Sequence, residues 1–375
     1  MAGVYFHIPF CRSKCNYCDF YSIRDSKGVE VLVKSAITEL FLRKNYLNND
    51  LVKTIYFGGG TPSLLSIGQI GELLEGVRKN FELIPGCEIT LEANPDDLSE
   101  EYISKLYQVG INRLSIGIQS FNDDILKFLG RRHDSKKLTG IIDFAQHTGF
   151  ENISADLIFA IPGMSFDTYK DSLEKLIKLG IQHVSAYSLT IEKGTYFHKL
   201  LSNNTIDEVP DEAMLQQFNA TIDILSHNGF AQYEISNYAK EGYRSKHNSS
   251  YWENEKYLGI GPSAHSYDKA SRQWNVSNTG KYCSGISQSE PYFEIEYLTE
   301  NDRFNEYIMT GLRTTRGVSV NFIYDNFSEK IVLYFKKQMN QLLRSDAIYM
   351  DGDSVSLTRK GMLISDYIVR KFYFI

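Results

Sequence analysis

Val4-Tyr5-Phe6-His7-Ile8-Pro9-Phe10-Cys11-Arg12-Ser13-Lys14-Cys15-Asn16-Tyr17-Cys18-Asp19-Phe20 decides the reading of this chain. Its first part, within the apolar run 3–8, has the composition of a strand, and Pro9 ends it. Three of the five cysteines then fall within eight residues, spaced C-x3-C-x2-C. That spacing is too tight for a disulfide framework, and an odd number of cysteines cannot all pair. It suits a loop wrapped round one corner of an iron–sulfur cube, one thiolate per iron. Three ligands for a four-iron cluster leave one iron without a protein ligand. A metal site keeps such an open position when something else must bind there. Phe10, Tyr17 and Phe20 interleave the thiols and are suited to shield a cluster from water, which tunes its potential. Two rivals stand beside this reading. A zinc ion wants a fourth ligand close by, and the nearest candidate is His7, inside the strand. Three free thiols in a surface loop would be hard to keep reduced.

Working outward, apolar runs at 53–57, 87–92, 113–118, 152–158 and 182–187 read as further strands. Amphipathic stretches at 29–47, 68–82, 99–109 and 166–179 lie between them. Alternation at this spacing predicts βα units on a parallel sheet. Six such units make a partial barrel, whose chemistry gathers at the carboxyl ends of the strands. Most of those ends carry polar or glycine-rich sequence. The second strand ends in Gly58-Gly59-Gly60-Thr61-Pro62, the third in Glu92-Ala93-Asn94-Pro95 and the fourth in Gln119-Ser120. The fifth carries Asp156, and the sixth Ser185, Tyr187 and Ser188. Loops are polar in any protein, but Glu92 and Gln119 directly extend their strands. The glycine triplet removes every side chain, so backbone groups there can approach a ligand closely.

Composition narrows the class. The chain has 375 residues, 42% of them hydrophobic, enough for one large core and a smaller domain. A net charge of −6 gives no global field to draw in nucleic acid, and none is expected as a partner. The aromatic content of 13% suits flat ligands as well as cores. Cys87 and Cys283 stand alone and read as packed or free thiols. No secretory leader precedes the first strand, no apolar run is long enough to span a membrane, and thiolate ligands want a reducing compartment. A cytoplasmic location is expected.

The cysteine loop resembles the signature of the radical S-adenosylmethionine (SAM) superfamily, in which the open iron chelates the amino and carboxylate groups of SAM. GGGTP, LEANP, LSIGIQSFN, LGRRHD and ADLIFAIPG narrow the resemblance to the oxygen-independent coproporphyrinogen dehydrogenase group, and within it to the HemW-like haem chaperones. The resemblance implies a (β/α)6 partial barrel, a [4Fe-4S] cluster on Cys11, Cys15 and Cys18, and bound SAM. It implies SAM contacts for Tyr5, Tyr17, Gly59, Gly60, Thr61, Glu92, Gln119, Arg131 and Asp156. For Arg131 and Asp156 a structural ion pair is the alternative.

Beyond the barrel, a helix at 210–228 and a short strand at 232–235 lead into a stretch rich in Ser, Asn, Gly and Tyr. That stretch, 236–290, reads as a long connecting loop region. It holds His247-Asn248-Ser249-Ser250-Tyr251-Trp252, which resembles the HNxxYW motif of HemW-like proteins. A loop imidazole can ligate haem iron, so His247 is the expected haem ligand, with His265 its competitor. The last segment, 291–375, patterns as helix, helix, hairpin around Asp351-Gly352-Asp353, then helix, a winged-helix-like packing module. The expected divisions are therefore 1–235 for the barrel, 236–290 for the loop region and 291–375 for the C-terminal helical domain.

Three functions fit. One is a haem-binding chaperone that delivers haem to acceptor proteins. Another is an oxygen-independent coproporphyrinogen III dehydrogenase. The third, a radical SAM enzyme acting on RNA, suits the acidic composition least. The dehydrogenases carry a cysteine two residues after the third ligand, where this chain has Phe20. They also carry an N-terminal cover, and here the first ligand is already residue 11. Both departures favour the chaperone.

Overall fold

The computed structural model describes residues 1–24 and 27–375. Six parallel strands run in sequence order: β1 (Ala2–Ile8), β2 (Val52–Gly59), β3 (Leu83–Ala93), β4 (Arg113–Gln119), β5 (Asn152–Phe159) and β6 (His183–Ser188). Apolar side chains alternate along them with polar ones, and both sets are buried, Thr54, Thr90, Arg113, Ser154 and His183 among the polar. Helices Val29–Leu42, Ile67–Asn80, Glu100–Val109 and Phe166–Lys178 cross between strands. Ser66, Ser99 and Ser165 start three of them, each side chain accepting the backbone N–H three residues on. Leu114, Ile116, Ile153 and Leu173 are among the fully buried side chains of this core. The result is the expected α/β partial barrel.

The stretch 236–290 is not a loop. It contains β8 (Asn237–Ala239), the helix Lys246–Trp252, β9 (Lys256–Ile260), β10 (His265–Tyr267), β11 (Ser271–Asn275) and the helix Thr279–Gln288. β7 (Ala231–Gln232) precedes it and β12 (Phe293–Tyr297) follows. β9 pairs in parallel with β1, and β10, β11 and β12 continue antiparallel from there. β8 and β7 extend the other side beyond β6. Among the described residues one sheet therefore has twelve strands, with β12 and β7 at its edges. These added strands are two to five residues long and bury Ser266, Ser271, Gln273 and Asn275. They are short and for the most part polar, and the β9–β1 pairing joins β9 to β12 to the barrel strands.

The C-terminal segment has its own core of Phe304, Leu312, Phe335, Val355 and Phe372. Helices Glu300–Leu312 and Glu329–Leu343 flank a further short helix, Val320–Asn326. A small sheet of β13 (Val318–Ser319), β14 (Ile348–Asp351) and β15 (Ser354–Leu357) forms the wing. Residues expected as one final helix form two, Arg359–Leu363 and Ser365–Phe372. This winged-helix-like domain meets the barrel at its amino-terminal end: Asn254 Nδ2 donates to Thr310 Oγ1 (3.3 Å), and Arg313 lies over Trp252. The cysteine loop lies at the opposite end, where it lines a cavity. Among the described residues no helix is long and apolar enough to cross a membrane.

Candidate functional site

The carboxyl ends of β1 to β6 surround a cavity of about 470 Å³. Cys11, Cys15 and Cys18 line it as free, half-buried thiols. Their loop is tied shut at its base: Cys11 N donates to Ile23 O (2.9 Å) and Ile23 N to Pro9 O (2.7 Å). Midway, Asn16 clamps it to the end of the helix Asp123–Phe128. Asn16 N donates to Leu129 O (3.0 Å) and Nδ2 to Phe128 O (2.8 Å). Donors face the sulfurs, Thr61 Oγ1 at 3.4 Å from Cys11 Sγ and Arg131 Nη1 at 3.6 Å from Cys15 Sγ. Burial pushes the Cys18 thiol up to about 11, so its thiolate needs a cationic partner in the cavity.

Gly59, Gly60 and Thr61 form the wall beside Cys11. A Cβ on Gly60 would sit 2.8–2.9 Å from atoms of the Ile8–Phe10 backbone, so only glycine lets the base of the cysteine loop pack here. Glu92 closes the next strand end, accepting from Tyr56 OH (2.8 Å) and Gly59 N (3.3 Å). Burial raises its pKa to about 7 despite the Tyr56 bond, and the Asp156 carboxylate adds to the rise. Asp156 itself is raised to about 6, again by burial, against hydrogen bonds from Ser185 and Ser115 and the charge of Arg113. Gln119 ends β4 with φ +66°, beyond a register shift that begins at Gly117. A bulge with left-handed backbone at a strand end re-aims a side chain, here at the cavity wall. Arg131 donates Nη2 to Asn94 Oδ1 (2.5 Å) and to Gly117 O (2.7 Å). Its hydrogen bonds go to these acceptors and to Cys15, not to Asp156, so the two are cavity groups and not an ion pair.

Tyr17 also lines the cavity, whereas Tyr5 does not. Tyr5 lies lower in the barrel, stacked on Tyr56 (centroids 6.0 Å), with its hydroxyl 3.3 Å from His7 Nδ1. A β-strand turns successive side chains to opposite faces, so the register of Tyr5 on β1 puts it inside the barrel below the loop.

His247 departs further from expectation. It is 1% exposed, in the first turn of the helix Lys246–Trp252, at the amino-terminal end of the barrel. Nδ1 is 2.8 Å from Thr54 Oγ1 and Nε2 is 2.9 Å from Tyr251 OH. Its ring stacks on Tyr56 (4.9 Å, 21°). Glu88 accepts from the backbone N–H of both Lys246 and His247, seating that helix terminus on β3. With both nitrogens occupied and no open face, His247 is a core group here and offers no lone pair to haem iron.

Sequence reasoning misses Asp97. Its side chain is 1% exposed and meets Arg12 (3.4 Å), Arg132 (3.5 Å) and Ser63 (3.0 Å), joining the cysteine loop to the loops after β2 and β4. The available signal is the acidic pair in Pro95-Asp96-Asp97 after a strand end. Asn16 escapes in the same way, since an asparagine between two ligands looks like ordinary loop sequence.

Comparison with known proteins agrees with this geometry. Residues 5–176 match the Radical SAM superfamily and residues 298–364 the HemN C-terminal domain. The coproporphyrinogen III oxidase HemN of Escherichia coli, a radical SAM enzyme, superposes with a TM-score of 0.85 at 22% identity, over 99% of this chain and 90% of that one. That likeness establishes the fold. The heme chaperone HemW of Escherichia coli K12 is 37% identical over 99% of this chain and 97% of its own length. Those of Lactococcus lactis and Bacillus subtilis are 34% and 35% identical, each over 99% of this chain. Matches of this identity along the whole length place the chain in a family: it belongs to the HemW haem chaperones of the radical SAM superfamily.

Proposed function

We propose that this protein holds a [4Fe-4S] cluster on Cys11, Cys15 and Cys18, binds SAM beside it, and carries haem to acceptor proteins without acting as a coproporphyrinogen III dehydrogenase. The observation that carries the reading is the cavity: three free thiols share it with cations on one wall (Lys14, Arg131) and carboxylates on another (Glu92, Asp156). Among the described residues no three His, Cys, Asp or Glu side chains converge closely enough for a single metal ion. Zinc would want a fourth ligand close to the three thiols, whereas a cube of irons takes one thiolate per iron and keeps one iron open. A bound cluster supplies an open iron and an electron. The chain's own residues supply donors to the sulfurs, a glycine wall and a pair of carboxylates for a ligand bearing both charges. Phe20, where the dehydrogenases have a cysteine, lies at the cavity rim with 64% of its surface exposed and brings no fourth thiol. The haem cargo is read from the relatives, which are haem chaperones. Thiolate ligands want a reducing compartment, which makes the cytoplasm the location of this reading.

Anaerobically reconstituted protein should bind haem and SAM yet leave coproporphyrinogen III unchanged under reducing conditions. Tetrapyrrole product at ~1 per second or faster, typical of enzymes, would instead make it a dehydrogenase.

SAM affinity should also depend on pH. Glu92 and Asp156, raised to about 7 and 6, are partly protonated in the empty cavity near neutrality. A sulfonium or ammonium group favours their charged forms, so binding releases protons and tightens as pH rises from ~6 to ~8. Calorimetry in buffers of different ionisation enthalpy measures that release. Glu92→Gln should flatten the dependence; a profile as steep as wild type would remove Glu92 from the site.

A further inference from the structure

His265 is an imidazole that neither the cavity nor the core uses. His7, His183 and His247 are buried with both ring nitrogens hydrogen-bonded. His133 is buried against Ile118 O, and His147 and His227 each bond a carbonyl one turn back in their own helices. His198 is half-buried on a short helix, and among the described residues no aromatic ring packs on it. His265 is exposed, and among the described residues its ring nitrogens have no hydrogen-bond partner.

Its backbone is fixed. β9 reverses into β10 through Gly261-Pro262-Ser263-Ala264, with Ser263 at φ +63°. A Cβ on Gly259 would lie 2.0 Å from His265 O, so glycine there lets the two strands meet. The fully buried Glu39 holds the turn, accepting from Gly261 N (3.0 Å), Asn275 Nδ2 (2.9 Å) and Tyr282 OH (2.5 Å). Asn275 returns to the turn through Nδ2 to Gly261 O (2.8 Å) and its backbone N–H to Ala264 O (2.9 Å).

The neighbours on the same face complete the set. Trp274 is the cross-strand partner of His265, its ring centroid 6.3 Å away, and is half-buried. The next pair is Tyr267 and Arg272, with the guanidinium over the phenol ring at 5.8 Å. Arg272 engages Glu306 through Nε (2.6 Å), leaving its terminal nitrogens for a carboxylate. Beyond lies β12, exposed along its length. An imidazole, an indole and a guanidinium thus lie in one register block, with His265 exposed, Trp274 and Arg272 half-buried and Tyr267 buried. Those are the groups that iron, a macrocycle and a propionate require. Partial burial and then the Arg272 charge lower the His265 pKa, so the ring is neutral at pH 7, the form that ligates metal. An exposed ligand rather than one enclosed in a pocket also suits a cargo that must leave.

We propose that His265 is the axial ligand for haem iron and that the porphyrin lies on the β10–β11 face against Trp274. This siting rests on the haem binding proposed above. The test is titration of the reconstituted full chain with ferric haem, followed by absorption and by indole emission. His265→Ala should shift the Soret band and weaken binding by about tenfold or more, and free imidazole should restore the band position. Because the side chain is exposed, the variant should fold. Trp252→Phe leaves Trp274 as the sole indole of the two in the chain, and haem should quench it. Wild-type binding with an unchanged spectrum and affinity in His265→Ala overturns the siting alone. So does weaker binding with neither a spectral shift nor imidazole rescue. Failure of the wild type to bind haem overturns the haem reading, and the siting with it.

Discussion

Alanine at Cys11, Cys15 or Cys18 abolishes stable cluster loading: iron and sulfide fall from ~4 of each per chain to near zero. A cluster with three protein ligands has none to spare, and the loop offers no substitute. Asp19 and Ser13 offer the loop's carboxylate and hydroxyl oxygens, and both are hard ligands poorly matched to iron–sulfur chemistry. The loop is also held from three sides. The Cys11–Ile23 bond closes its base, Asn16 clamps its middle and Asp97 takes Arg12. It cannot slide to bring Cys87 or Cys283 into position, since Cys87 is buried on β3 and Cys283 lies in the helix Thr279–Gln288. Cys87→Ala and Cys283→Ala should therefore load normally. Fold should survive in all five variants, because the loop covers a cavity rather than a core. Iron and sulfide assays with circular dichroism check both points. Stoichiometric iron and sulfide in the Cys11/Cys15/Cys18 triple variant would defeat the ligand assignment.

His247→Ala should cost about 3 kcal/mol of stability at pH 7.5, the sum of two buried hydrogen bonds lost and a cavity left under the ring. Thr54 Oγ1 and Tyr251 OH lose their partner inside the barrel, and Tyr56 loses its stacked neighbour. The effect carries a pH signature. Burial, followed by the charges of Arg113 and Lys53, lowers the His247 pKa to about 3 from its ordinary 6.5. A histidine depressed in the folded state favours folding while the unfolded chain is also neutral, above pH 6.5. That contribution drains away as pH falls from 6.5 toward 3, because the unfolded chain binds the proton first. The gap between wild type and His247→Ala should therefore narrow on acidification. Urea unfolding at pH 7.5 and pH 5 measures it. A variant as stable as wild type at pH 7.5 would mean that the ring is not the packed group described. Haem spectra of the folded variant should match wild type.

The local chemistry is legible in the order of the residues alone. Six strand-length runs separated by amphipathic stretches specify the barrel, because strands and helices alternating at that spacing build βα units on a parallel sheet. The C-x3-C-x2-C loop specifies its ligands, because three thiols within eight residues must share one neighbourhood whatever the fold. Glu92 and Gln119 are legible as cavity groups because each extends its strand toward the end where barrels gather chemistry.

What the sequence cannot carry is any placement that depends on partners remote in the chain. β9 pairs with β1 from the far side of the whole barrel sequence, and the strands from β10 to β12 exist only because β9 is there to pair with. Their Ser, Asn and Gln residues look like loop until Glu39, on a helix of the first βα unit, supplies the buried acceptor for the turn. The same long-range pairing decides between two histidines that are alike in sequence. Glu88 and Thr54 draw His247 into the barrel and, with Tyr251, saturate it, while the β9–β10 turn leaves His265 exposed. Exposure and hydrogen-bond satisfaction are properties of the neighbours, and for both rings the deciding neighbours come from elsewhere in the chain.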